Sequence, residues 1–432
     1  MALPKAKQDM TDAALAALPA PAGGAWAKAA QEDARARVAT LGLPVRRDEY
    51  WKFTNPNAYT AEAAEFSTAT ETLNVFDAAQ PLTITFVDGV LDADGSDDMA
   101  LDGVTIETLA DAMAADLHWA KGLYGVLEGA SNTAAAKEGA ALFRNVPRPM
   151  AALNTAAARE GLVIRATGEA ARPIRISYRS AGGDAMVHHV IKVEEGASLT
   201  VLEEGTPGAR SNVMIEVDIA DKAAFHHLRM QEPVADRHTL TNTFARLGTE
   251  STFKSFGLTA QGVLTRNETV MELTGDDAVA HVAGACLGDG NVHHDDTVYI
   301  THDAVNCESR QVFKKVLRNG AVGVFQGKIL VQPHAQKTDG YQISQSLLLD
   351  DDSQFLAKPE LEIYADDVAC SHGSTSGAID EGALFYLRSR GVPYAEAINL
   401  LTLSFLAEAL EEIDDEGLAE MVQTRLEQWL RA

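Results

Sequence analysis

Cysteine is scarce in this chain: Cys286, Cys307 and Cys370 are the whole complement. No two of them stand at CxxC spacing, which argues against a self-contained zinc or iron–sulfur site built from local thiolates. An odd count makes no disulfide framework and suits a reducing compartment. Positive charge is short as well. Against 62 acidic side chains there are 36 basic ones, a net charge of −26, so nucleic acid and anionic membrane are repelled. The plain reading of that acidity is solubility; a sharper one is attraction for cations or basic partners. Long apolar runs are missing too. The uncharged stretch Ile398 to Ala407 is too short to cross a bilayer. Near the start, Lys5 and Lys7 are followed by Asp9, Asp12, Pro19 and Pro21, which is not the texture of a signal peptide. A cytoplasmic protein is expected. No GxxxxGK[ST] loop occurs, so the chain is not expected to bind nucleotide or hydrolyse ATP itself. Gly288-Asp-Gly290 runs into Asn-Val-His-His and reads as a turn, not a dinucleotide loop; GxSxG and HExxH are absent.

What is present is an ordinary globular composition, 46% hydrophobic and 23% charged over 432 residues. That length suggests two or three units, or an elongated repeat. Residues 1–145 are mixed and alanine-rich. Trp26 to Leu41 reads as a charged surface helix stopped by Gly42 and Pro44. Leu82 to Val87 reads as a strand entering an Asp88-Gly89 turn, Val104 to Ile106 as a second strand, and Leu109 to Leu127 as helical. Across residues 146–358 short β-branched runs recur between Gly, Asp and Glu. Turn-plus-strand segments begin at Gly196, Lys222, Gly248 and Gly275, in steps of 26, 26 and 27 residues. Such a period suits a β-solenoid, although no hexapeptide or nonapeptide consensus supports it and a β-sandwich stays open.

Residues 359–432 turn helical. Asp380 is a suitable N-cap for Glu381 to Arg390, with Gly391 at the end and Pro393 opening a helix from Tyr394 to Ile413. That helix carries Ile398, Leu401, Phe405 and Ala409 on one face, while Leu400, Leu403, Leu406 and Leu410 widen it. A last helix spaces Leu418, Met421, Val422, Leu426, Trp429 and Leu430. The segment reads as a solenoid cap, alone or with a docking surface for a partner.

Three adjacent histidine pairs occur, at 188–189, 226–227 and 293–294. On a strand each pair offers one inward and one outward imidazole. The outward ones are either aligned metal ligands or hydrogen-bonded wall residues. In Cys370-Ser371-His372-Gly373 a thiol and an imidazole two residues apart share one face of an extended chain, a soft sulfur beside a borderline nitrogen suited to iron or zinc. Asp366 and Asp367 lie just upstream. Two ligands do not close a site.

An ordered series of blocks follows: Val324 to Ile329, Ala335 to Gln342, Leu347 to Leu349, Pro359 to Gly377 and Leu384 to Gly391. It resembles the C-terminal signature of the SufB/SufD family, paired scaffold subunits of the SUF iron–sulfur assembly machinery, and Cys-Ser-His-Gly resembles the SufD branch. Asp48 to Thr54 agrees more loosely. The resemblance implies a mainly β protein, a right-handed parallel β-helix core between an N-terminal α/β or helical region and a C-terminal helical domain. It implies a non-catalytic scaffold that pairs with SufB and docks the SufC ATPase on the C-terminal helices, where Val392, Pro393, Ala397, Leu401 and Phe405 are the candidate contacts. It also implies iron or a nascent iron–sulfur cluster, shared with SufB, with His372 and Cys370 as candidate ligands at that interface. Cys286 and Cys307 match no sulfur-accepting position, so sulfur reception is expected of SufB. A homodimer with SufC is a variant of the same reading. The alternative class is a β-helix enzyme on polysaccharide, with Asp276, Asp277, Asp295 and Asp296 as its carboxylates.

Overall fold

A computed structural model of the protein describes residues 3–60, 73–133, 146–231, 234 and 236–431. The chain winds as a parallel β-solenoid. Each coil contributes one strand to a sheet of ten and one to a sheet of nine, so that sequence neighbours alternate between sheets. The solenoid therefore settles the choice between repeat and sandwich. Its parallel strands run from Leu82–Val87 and Leu162–Ala166 to Gln354–Ile363 and Ala369–Gly377, and Val90–Asp92 and Val104–Thr108 extend the two sheets antiparallel at the N-terminal end.

Register explains why the loose repeat is real. Ala224 lies beside Ser198, Thr252 beside Ala224 and Val279 beside Thr252, each one coil further on. In six successive coils the corner that precedes these strands holds a residue of positive φ: Gly196, Lys222, Glu250, Asp277, Asn306 and Lys337. Their amides form a ladder, each N–H donating to the next coil, as Lys222 does to the Thr249 carbonyl at 2.8 Å. Only backbone geometry is common to the column, which is why no side-chain consensus marks it.

Alternation then sorts the side chains. Inward positions such as Ile176, Val201, Phe225, Phe253, Ala280 and Phe313 stack into one interior core. Outward positions of the ten-stranded sheet, among them Leu228, Phe256, Ala283, Val312 and Val316, meet Leu406, Leu410, Leu418, Val422 and Leu426 of the helices Tyr394–Leu410 and Glu416–Arg431. Charges fasten the same contact. Lys314 pairs with Glu408, and Arg310 and His281 reach Glu412 at 3.0 and 3.4 Å. The hydrogen bond from His281 and the guanidinium of Arg310 hold the Glu412 carboxyl down to about 2.

The nine-stranded sheet is covered by the N-terminal elements. Helix Pro149–Ala157 is buried along its whole length between this sheet and helix Ala25–Leu41, and Asn154 donates to the carbonyls of Val187 and Asn212 at 3.1 and 2.8 Å. Helix Ala25–Leu41 is not simply a surface helix. Trp26, Ala27, Gln31, Ala34 and Val38 form a buried stripe, inconspicuous in sequence because alanines supply much of it. The expected helix from Leu109 to Leu127 is broken into Leu109–Ala114, a turn at Trp119–Gly122 and Val126–Thr133. Gly125 has φ of 69°, and a Cβ there would strike Thr155. Residues 48–54 reach across to late coils: Trp51 lies under the Arg266 guanidinium at 4.3 Å, Thr54 donates to Asp295 at 2.5 Å, and Tyr50 donates to Glu360 at 2.7 Å.

His302 offers a test of this interior. It faces the core with no exposure, its Nε2 2.8 Å from Ser309 Oγ, and burial pushes it down to about 4. An unfolded histidine titrates near 6.5. Between those values the unfolded chain takes a proton that the folded chain refuses, so this contribution is complete above pH ~6.5 and is lost as pH falls towards ~4, at about 1.4 kcal/mol per unit. Thermal unfolding of His302→Leu should lose less stability between pH 7 and pH 5 than wild type. Equal losses would mean His302 is not held neutral.

Candidate metal half-site at the open end of the solenoid

Strand Ala369–Gly377 is the last of its sheet and pairs on one side only, with Asp339–Leu348. Gln354–Ile363 likewise ends the other sheet. Both sheets thus finish on an open edge at the same end. Register sets Cys370 beside Gly340, His372 beside Gln342, Ser374 beside Ser344 and Ser376 beside Ser346. The partners Gly340, Gln342, Ser344 and Ser346 are buried, so all four terminal residues face the bore side, as the spacing of Cys370 and His372 predicts. Ser344 and Ser346 bond their counterparts at 2.7 and 3.0 Å, which fixes the strand.

Gly340 packs closely here: a Cβ there would lie 3.1 Å from Cys370 Sγ, which would have to shift by a few tenths of an ångström. The thiol rests among Ile329, Val331, Ala335 and Leu361, and burial pushes its pKa up. It is therefore a protonated thiol that a cation would have to deprotonate on binding. His372 is exposed, and among the described residues its imidazole makes no hydrogen bond. Two positions along a strand separate the side chains by about 6.6 Å at the backbone. Among the described residues no group of three or more His, Cys, Asp or Glu side chains is placed to hold a metal ion. Asp367 is occupied with Lys337. What the fold presents is two donors, one ready and one half-sheltered, at an unfinished edge.

The five candidate contacts on the helices divide. Pro393 is exposed, and Val392, Leu401 and Phe405 are partly so. Ala397 is completely buried, because it lies on the inner face of the helix. Phe405 lies under Lys314 Nζ at 4.6 Å. The most exposed large apolar residue of the C-terminal helices is not among these five: Phe385 is 74% exposed, and Tyr386, Tyr394 and Leu400 are exposed as well. Adjacent aromatics at 385 and 386 in a short helix were the available signal, since one buried stripe cannot take both.

The histidine pairs do alternate. His189, His227 and His294 point into the bore, while His188, His226 and His293 face outward, but onto two different sheets, so they form no single row. His188 stacks on Tyr124 and bonds Glu216 at 3.0 Å; His293 is 2.9 Å from Thr54. The inward three join a buried polar chain that sequence reading missed. Leu162 N–H donates to His189 Nδ1 (3.1 Å), leaving Nε2–H to bond Tyr178, whose hydroxyl donates to Glu203 at 2.9 Å. Glu203 also takes His227 at 2.7 Å and Arg229 at 2.8 Å. From Arg229 the path continues through Thr241 and Asn267 to Asp296, and ends at Lys315, 2.6 Å from Asp296 and 2.7 Å from His294. Burial opposes the charge on Glu203, yet Arg229 and His227 outweigh it and hold the carboxyl well below the usual range. Burial keeps His189 down to about 4 and His294 down to about 3. Each ion has its counterpart, as buried charges must.

Asp295 and Asp296 fall on opposite faces, the first against Arg266, the second inside with Lys315. Asp276 and Asp277 sit at the corner ladder, holding Val305 and Asn306. The four carboxylates gather in no common cleft, which removes the basis for a polysaccharide-cleaving site.

The fold is that of a parallel β-solenoid protein with helical covers on both sheets and an open edge strand that carries Cys370 and His372. Residues 177–405 match the family model described as SUF system FeS cluster assembly, SufBD core domain. The chain belongs to that family and is of the SufD type. It is 31% identical over 270 residues to the iron–sulfur cluster assembly protein SufD of Escherichia coli, covering 60% of this chain and 64% of the relative. To SufD of Bacillus subtilis it is 28% identical over 264 residues, covering 59% and 60%. An iron–sulfur cluster assembly SufBD family protein of Synechocystis sp. shares 31% over 209 residues, covering 47% and 45%. The chain thus spans less than two thirds of the length of each of these three relatives.

Thiol chemistry tests the placement of the cysteines. Cys286 is buried and pushed up to about 12, and Cys307 is buried in the core. In the native protein a maleimide should modify Cys370 first, as one added mass located by peptide mapping, and the other two only after denaturation. Early labelling of Cys286 would contradict the buried assignment.

Proposed function

We propose that the chain is a non-catalytic, cytoplasmic scaffold subunit for iron–sulfur cluster assembly. It pairs with a SufB-like subunit through the open solenoid end and carries a SufC-type ATPase on its C-terminal helices. In this reading the solenoid coils, which extend beyond residues 146–358 at both ends to Leu82–Val87 and Ala369–Gly377, are the rigid core, the N-terminal helices are its cover, and the last strand with the helices after it carries the functional end. The observation that carries the reading is the pair Cys370 and His372, two soft-to-borderline donors on an edge strand with one partner. Such a pair binds iron or a nascent cluster only when a second chain supplies the remaining ligands. Iron and sulfur are cargo here, and ATP hydrolysis belongs to the partner.

Docking of the ATPase draws on Pro393, Val392, Leu401 and Phe405 together with the exposed Phe385, Tyr386, Tyr394 and Leu400. Ala397 supports that surface from beneath. Large exposed aromatics at helix ends are the residue types that anchor protein interfaces.

The experiment mixes the chain with SufB-like and SufC-like subunits and measures co-elution and complex mass under anaerobic conditions. A complex containing all three is expected, and a mass containing only this chain and the ATPase would mean the homodimeric arrangement. His372→Ala should leave the complex intact but reduce cluster maturation in cells at least severalfold, with Cys370→Ser having the smaller effect. Unchanged maturation in His372→Ala would remove this residue from the mechanism.

A further inference from the structure

The terminal strand Gln354–Ile363 has little to hold it. It pairs on one side only, with Val322–Val331, and none of its ten residues is buried. Phe355 and Leu361 rest against the interior clusters, while Lys358, Glu360 and Glu362 lie on the outer face. Glu362 takes Lys328 of the neighbouring strand at 2.6 Å. The other two are held from outside the solenoid, by the residues just before Trp51. The Tyr50 hydroxyl donates to Glu360 at 2.7 Å, across 310 positions of sequence. Lys358 Nζ donates to Glu49 at 3.0 Å and lies 4.1 Å from the centre of the Tyr50 ring.

Tyr50 is itself fixed. Its carbonyl accepts from Gln326 Nε2 at 3.3 Å, and its ring meets Tyr299 edge-on with centroids 5.4 Å apart. On one flank Trp51 is buried under Arg266. On the other, Asp48 accepts from Lys7 at 2.8 Å and from the Val45 amide at 3.0 Å. Burial pushes Tyr50 up to about 12, so the hydroxyl keeps the proton it donates. A hydrogen bond to an ionised acceptor is stronger than a neutral one. The segment is a brace: its ends are anchored on the N-terminal cover and the middle coils, and its centre bears on the last strand.

We infer that Tyr50 is a positioning residue for the open end of the solenoid. Through Glu360 and Lys358 it keeps Gln354–Ile363 ordered in the free chain, so that less ordering is left to be done at the moment of pairing. The pairing half of this inference rests on the reading above, in which this end meets a SufB-like subunit. The ordering half concerns the free chain alone.

Amide hydrogen exchange on the full chain, resolved by peptide mass, reports the opening of separate strands. In Tyr50→Ala the amides of Gln354–Ile363 should exchange about 3- to 10-fold faster than in wild type, the range of one hydrogen bond, while those of Leu264–Leu273 stay as they are. Tyr50→Phe keeps the ring under Lys358 and loses only the bond to Glu360. It should show a smaller rise, and it carries the test should Tyr50→Ala not fold. Adding Tyr50→Phe to Glu360→Ala should change nothing further, because the two act through one bond. Affinity for a SufB-like subunit should fall in the order wild type, Tyr50→Phe, Tyr50→Ala. The inference is overturned if the strand exchanges as in wild type in both Tyr50 variants, if every coil accelerates equally, or if the strand loosens and pairing is unchanged. Wild type that fails to pair, with the strand loosening as expected in the variants, would remove the pairing reading and uphold the ordering.

Discussion

The parallel hydrogen-bonded register between coils is the constraint on which the rest depends. Once Ser198, Ala224, Thr252 and Val279 are stacked, every later position in the strand has its facing decided. Inward residues of one coil lie on inward residues of the next, and outward residues join a common surface. The apolar interior, the buried polar chain, the two helical covers and the bore-side placement of Cys370 and His372 are four consequences of that single arrangement.

The interior is divided along the strand direction. Near the corner ladder the inward positions are Leu199, Phe225, Phe253 and Ala280. Further along the same strands they become Glu203, Arg229, Cys286 and Lys315. A solenoid can carry charges inside because stacking supplies each ion with a neighbour from an adjacent coil or the opposite sheet. Glu203 with Arg229 and Asp296 with Lys315 are such pairs. Removing one member would strand the other in a low-dielectric interior, so these residues are structurally coupled over long stretches of sequence.

Much of this was legible in the sequence, for identifiable reasons. The C-terminal helices carry their own punctuation: Asp380 caps the Ala383 amide at 2.8 Å, and Gly391 takes the positive φ that ends the turn. The shared face of Cys370 and His372 followed from strand geometry alone. The repeat was only half visible, because its constant element is a backbone conformation adopted in turn by Gly, Lys, Glu, Asp and Asn. The buried stripe of Ala25–Leu41 was hidden by alanine, and the bore network by distance: Tyr178 and Glu203, or Asn267 and Asp296, meet only when coils stack. The openness of Phe385 and Tyr386, against the complete burial of Ala397, depends on which helix face the sheet covers. No periodicity within the helix decides that.

The corner ladder also bears on how the molecule tolerates changes of length. From Gly196 to Lys337 the spacing of the left-handed corners varies between 26 and 31 residues, yet strand register across every coil stays in step. Each corner is closed by its own backbone bond to the next, so an added or missing residue is absorbed in the turn where it arises. Errors of length do not accumulate along the axis. The last strand is therefore delivered to the same angular position whatever the intervening loops measure, much as a spiral stair keeps its landing under steps of unequal depth.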